Sequence, residues 1–235
     1  MVRTQLTQFL GFAAVALVCA VALSLLPVSY PHPSQEESLK LVSLAPVLAL
    51  GAVGVWLFAL VRRQVPAPDV PALRRFGLPV LWGAGFGLVA VALDYAVGLS
   101  ASLAAVLGVK DIHLAAPYSL LAYTAGGVAV ESIFRFLPIG VLSFIIVKLF
   151  TRGHWPTRVF AAVAAVSCVI EPVTQVGILS TQPQAMVATA ILVFAYGLVA
   201  SWQLWHHGVA ATLTMRLAFY AVWHVVLGPL VATPA

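Results

Sequence analysis

Seven apolar runs divide the chain: Phe9–Val28, Leu39–Val61, Phe76–Val97, Tyr118–Phe150, Val159–Ile178, Ala185–Trp205 and Gly208–Leu227. Each is long enough to cross a hydrocarbon core of about 30 Å at about 1.5 Å per helical residue. The fourth is longer than one crossing needs, and Pro138 within it removes a backbone donor, which predicts a kink there. The predicted fold class is therefore an all-α membrane protein, a polytopic bundle of about seven transmembrane helices. Ala20-Val21-Ala22 has the small-residue form of a signal-peptidase site, but the apolar run continues unbroken to Val28, so the first helix reads as uncleaved. Residues 1–38 read as an additional N-terminal helix with an external proline-rich linker around Pro31–Ser34, residues 39–228 as one helical membrane domain, and 229–235 as a short external tail.

Composition agrees, with 62% apolar residues, 8% charged residues and a mean hydropathy of +1.05, values that exclude an ordinary soluble domain. Basic residues concentrate before the first span and in the even loops: Arg3, Arg62, Arg63, Arg74, Arg75, Lys148, Arg152 and Arg158. The odd loops hold only Lys40 and Lys110. The positive-inside rule then predicts a cytoplasmic N-terminus and an external C-terminus in the cytoplasmic membrane, with Trp155, Trp202 and Trp205 in the interfacial belt on the inner side. The pI near 9.6 thus records topology, and no motif points to nucleic acid. The lipid bilayer is the first partner.

Function must reside in the polar minority. Asp94, Glu131, Arg135, Glu171, Arg216 and His224 lie inside apolar runs, where a charge costs ~2.5–3.5 kcal/mol on insertion scales. Glu131 and Arg135 are four apart and share a helix face, as do Glu171 and Gln175, and Arg216, Tyr220 and His224 repeat that spacing twice. By helical rise Glu171 lies roughly 18 Å in from Val159 and Arg216 roughly 12 Å in from Gly208, so both reach mid-bilayer. An interhelical Glu171–Arg216 ion pair is the expected way to offset both charges. Asp94 reads as either a helix cap or a solvated rim residue, and His224 as a hydrogen-bonded core histidine. Gly51, Gly54, Gly83 and Gly87 offer small surfaces for close helix packing. Cys19 and Cys168 read as small core residues. No spacing of His, Cys or acid residues predicts a metal site, and no motif predicts a cofactor.

The stretch Ala125-Gly126-Gly127-Val128-Ala129-Val130-Glu131-Ser132-Ile133-Phe134-Arg135 resembles the Glu-Glu-x-x-x-Arg helix of the CAAX protease and bacteriocin-processing (CPBP) family of intramembrane endopeptidases. Gly51–Arg75, Gly83–Asp94 and Ala200–His224 are similar to the neighbouring family elements, so the resemblance spans about residues 39–228. It implies a membrane-embedded site in which a glutamate and a histidine activate water. This chain has Val130 at the first glutamate position, Gln175 at the histidine position of Phe-x-x-x-His, and Arg216 and Tyr220 in place of His and Asn/Asp. Glu131 and Arg135 are the remnants of the catalytic motif, while Glu171, Gln175, Arg216, Tyr220 and His224 are expected to form the substrate cavity or its core network. Water activation requires a group that accepts a proton near neutral pH, which valine and glutamine cannot do. The expected function is that of a catalytically silent member that binds another membrane protein or a hydrophobic peptide as an assembly or accessory subunit. The alternatives are an active endopeptidase relying on Glu131 and a transporter or channel component.

Overall fold

The computed structural model describes residues 2–62, 71, 73–150, 157–178 and 181–231. Among these, seven helices are long and apolar enough to cross a membrane, and the protein is an all-α, multi-pass integral membrane bundle. The chain runs through α1 (Val2–Leu25), the short α2 (Pro33–Leu39), α3 (Leu41–Arg62) and α4 (Leu78–Val97). It continues with α5 (Leu99–Leu107), α6 (Tyr118–Glu131), α7 (Leu137–Leu149), α8 (Thr157–Ile178), α9 (Pro183–His207), α10 (Val209–Tyr220) and α11 (Gly228–Val231). Arg63, Arg152 and Trp155, all used above to orient the chain, lie outside the described residues.

Two stretches depart from the sequence reading. The expected linker after the first span is partly helical: His32 caps α2 by accepting the Ser34 N–H at 3.1 Å, and Pro33 stands at the helix start, where a missing N–H costs nothing. The connection after the third span holds α5, begun and ended by Gly98 and Gly108 at φ 62° and 66°. Trp205, placed by its sequence position in an interfacial belt, is instead buried and stacks on Phe160 at 4.5 Å.

The long fourth run is one continuous span of 32 residues. It is built as α6, a wider π-helical turn over Ser132–Phe136, and α7. Pro138 sits in the first turn of α7, immediately after the wide turn. An extra residue in a turn releases the strict i to i−4 ladder, so the proline's missing donor is accommodated without ending the span. A second wide turn, Ala221–Leu227, joins α10 to α11. Arg135 and His224 occupy these two turns.

Helices α3 and α7 cross with their backbones in contact: a Cβ added to Gly140 would strike the backbone of Gly54, and one added to Gly54 the backbone of Phe136. Gly83 and Gly87 do the same for α4, against the Met215 carbonyl and against Val222. Close approach of this kind replaces the hydrophobic driving force that helices lack inside lipid. α1 packs on α6 and α3, with Phe9 fully buried edge-on against Phe136 at 5.7 Å. At the turn between α9 and α10, Gly208 adopts φ 90°, and the next backbone N–H, that of Val209, is accepted by Gln5 Oε1 from α1 at 2.8 Å. Side chains such as Val18, Leu81, Val166 and Ile191 form an apolar outer coat, as a lipid-facing surface requires.

Candidate functional site

Three spans bring four charges to one point. Glu131 ends α6 and Arg135 follows on the wide turn, placing Arg135 Nε 3.5 Å from Glu131 Oε2. Glu171 projects from α8 and Arg216 from α10. Arg216 donates from Nε to Glu131 Oε1 at 2.7 Å and from its NH2 nitrogen to Glu171 Oε2 at 3.0 Å. Arg135 closes the ring with a 3.5 Å contact to the same Glu171 oxygen. The expected Glu171–Arg216 and Glu131–Arg135 pairs are both present, and the Arg216–Glu131 bond, shorter than either, joins them into a quartet. All four residues are buried, Glu131 and Arg135 completely.

The quartet carries two acids and two bases, so its charges cancel where an isolated ion would be costly. Other groups fix its geometry. Arg135 also donates to Cys168 Sγ at 3.2 Å and Ser201 Oγ at 3.4 Å. The guanidinium fits because Gly197 has no side chain: a Cβ there would lie 3.1 Å from both Arg135 and Cys168. Tyr196 donates to Glu131 at 3.4 Å and places its ring 4.2 Å from the Arg216 guanidinium, a cation–π contact. Cys168 is the buried small residue its sequence suggested, but it is also a ligand of the arginine. Its spacing of three residues from Glu171 signals a shared face; Tyr196, Gly197 and Ser201 carry no signal in the sequence.

A cavity of about 200 Å³ opens beside the quartet. Glu171, Gln175, Arg216, Tyr220 and His224 line it together with Thr189, so the expected cavity residues meet around one space. Glu131 and Arg135 are not on its wall. One oxygen of Glu171, Oε1, has no hydrogen-bond partner among the described residues.

On another wall of the cavity His224 belongs to a second polar group. Asp94 is the buried cap of the two alternatives that its sequence position allowed. It accepts the Ser100 backbone N–H at 2.6 Å at the start of α5, and also the Ser100 hydroxyl. Ser100 Oγ lies 3.0 Å from His113 Nε2, and His113 Nδ1 lies 3.2 Å from His224 Nδ1. The loop carrying His113 is held from two sides: Gln35 on α2 and Tyr123 on α6 both donate to the Ile112 carbonyl at 3.2 Å. Tyr123 also stacks on the His224 ring at 4.2 Å. Burial pushes the His113 imidazole below its ordinary pKa, against the opposite pull of Asp111 and Asp94. Ser100 and His113 were not apparent from the sequence, because both sit outside the apolar runs in which a polar residue stands out.

No protein-family model, curated protein or solved structure matches this chain. Its chemistry therefore rests on the geometry. Among the described residues no three of His, Cys, Asp or Glu stand together as metal ligands would. Both oxygens of Glu131 face guanidinium groups, and Glu131 does not line the cavity.

Proposed function

We propose that the protein is a CPBP-type membrane protein that no longer hydrolyses peptides and uses the cavity beside the quartet to bind an apolar segment of another membrane protein or a hydrophobic peptide. The observation that carries this reading is the position of Glu131, fully buried and bonded to Arg216 at 2.7 Å. A general base must come within hydrogen-bond reach of the proton it takes, directly or through one water. Two further facts support the reading: the helices bearing the three resembled motifs converge on one site, and Gln175, at the histidine position, lines the cavity with Glu171. In this reading the arginine-bearing end of the bundle faces the cytoplasm and the α5 end faces outward, following the basic residues of the even loops.

The test is purified protein in nanodiscs with a labelled prenylated peptide and a labelled hydrophobic leader peptide. Saturable binding without cleavage is expected, with binding weakened when the cavity is filled by Leu103→Trp or Val193→Trp. Cleavage by the unaltered protein that disappears in Glu131→Ala would overturn the proposal and make Glu131 the base. A Val130→Glu, Gln175→His variant tests whether restoring the motif restores hydrolysis.

A further inference from the structure

The Asp94–Ser100–His113–His224 chain has a direction. Asp94 takes the single proton of the Ser100 hydroxyl, so that oxygen has only lone pairs left to offer His113. His113 must then carry its proton on Nε2, 3.0 Å away, and a neutral ring protonated there has a bare Nδ1. That bare nitrogen faces His224 Nδ1 at 3.2 Å, which must therefore hold the proton between them. The consequence falls on the far side of the ring: His224 Nε2 is left as an acceptor on a residue that lines the cavity. Glu171 Oε1, an acceptor by nature, has no partner among the described residues, and Glu171 lines the same cavity. Two of the cavity's residues thus carry acceptors that no donor among the described residues satisfies.

The charge of that donor follows from its neighbours. The quartet is neutral as a whole, and Arg216 itself stands on the cavity wall, so a full positive charge there is repelled by the nearest cation. A neutral N–H avoids this. The wall can also serve a carbonyl, because Trp223 Nε1 and Thr189 Oγ1 are buried without partners among the described residues and both residues line the cavity. We propose that this cavity is a binding site for a neutral amide, a peptide group or carboxamide on an apolar stem, selected by its N–H, with Asp94, Ser100 and His113 acting as positioning residues that keep His224 an acceptor. The inference rests on the reading of the cavity as a binding site and adds what that site recognises.

The test uses three probes of nearly equal size on the 235-residue chain in nanodiscs: hexanamide, methyl pentanoate as an ester with the same number of heavy atoms, and hexylammonium. Binding is read from the indole ¹⁵N–¹H signal of Trp223, assigned by its loss in Trp223→Phe. Hexanamide is expected to shift that signal saturably, and the ester, leaving a buried acceptor unpaired, to bind roughly tenfold more weakly or worse. Histidine ¹⁵N spectra of the unaltered protein are expected to show His224 protonated on Nδ1 and bare on Nε2. Ser100→Ala is expected to abolish that tautomer preference and the amide-over-ester preference together, while the fold, read from the remaining indole signals, persists. Equal binding of amide and ester overturns the selection but leaves the cavity reading intact. Tighter binding of hexylammonium makes the site cationic and overturns the amide assignment. If no probe shifts Trp223 although the labelled peptides bind, the amide site is wrong and the apolar-segment reading stands.

Discussion

The quartet and the His224 chain are both buried polar networks touching one cavity, yet they are built on opposite plans. In the quartet every charge meets its opposite, Arg216 bridging two glutamates at 2.7 and 3.0 Å, and the ring closes on itself. The His224 chain is open: it starts at a capped carboxylate and ends at an imidazole on the cavity wall. Apart from Glu171 Oε1, which has no partner among the described residues, the closed network spends its polarity on holding helices together, whereas the open one delivers polarity to whatever enters the cavity. The first suits a structural core and the second a recognition site, and variants separate the two.

The largest effect belongs to the quartet. Removing one partner of a buried ion pair strands the other, at a typical cost of about 3–5 kcal/mol. Glu171→Gln and Arg216→Met are each expected to lower the yield of monodisperse protein in detergent severely, while the double variant recovers part of the loss. Strict additivity of the two single losses in a double-mutant cycle would show that they do not interact. In the open chain Asp94→Ala leaves the Ser100 backbone N–H unpartnered and its hydroxyl with His113 alone, for which about 1–3 kcal/mol is expected. That loss should appear as a lower thermal midpoint, with Asp94→Asn milder because the amide oxygen still accepts. If Asp94→Ala melts like the parent protein, the cap contributes nothing.

Acidification should also tell the two networks apart. His113 is held below its ordinary pKa of about 6.5 in the folded state. As pH falls past that value, the unfolded chain takes up a proton that the native ring resists. Stability is therefore full above about pH 6.5 and declines below it. Asp94, Asp111 and His224 face this ring, and His113→Gln is expected to flatten the decline. A melting midpoint independent of pH between 7.5 and 5.5 would contradict the assignment. The smallest effect is expected at Cys168. Cys168→Ala removes one acceptor from Arg135, which retains Glu131, Glu171 and Ser201, so about 1 kcal/mol is expected. Cys168→Ser should restore most of it in the same melting assay.

The contrast also explains what the sequence made legible. The spans, the four-residue spacing of Glu131 and Arg135 and the common level at which Glu171 and Arg216 meet follow from helical periodicity, and a charge is conspicuous against an apolar background. Even the packing glycines are readable, since Gly54 and Gly83 stand where α3 and α4 meet neighbouring backbones. The open chain draws on residues that no periodicity marks. His113 lies in a loop whose path is set by Gln35 and Tyr123, distant in sequence, and Ser100 gains its role only because α5 starts beside Asp94. Pro138 predicts a bend in the fourth span, whereas the wide turn before it and that turn's placement of Arg135 belong to the backbone geometry.

The contact between Gln5 and Val209 joins positions 204 residues apart, linking α1 to the α9–α10 hairpin. During synthesis α1 must sit in the bilayer with an unfilled flank until α10 arrives. Loop-closure entropy weighs against such distant pairings, which makes them late and slow. Because Gly208 is the single residue between α9 and α10, those two helices form one tightly turned hairpin. A chain truncated before residue 209 would lack both the partner for Gln5 and the helix that carries Arg216, leaving Glu131 and Glu171 to share Arg135 alone.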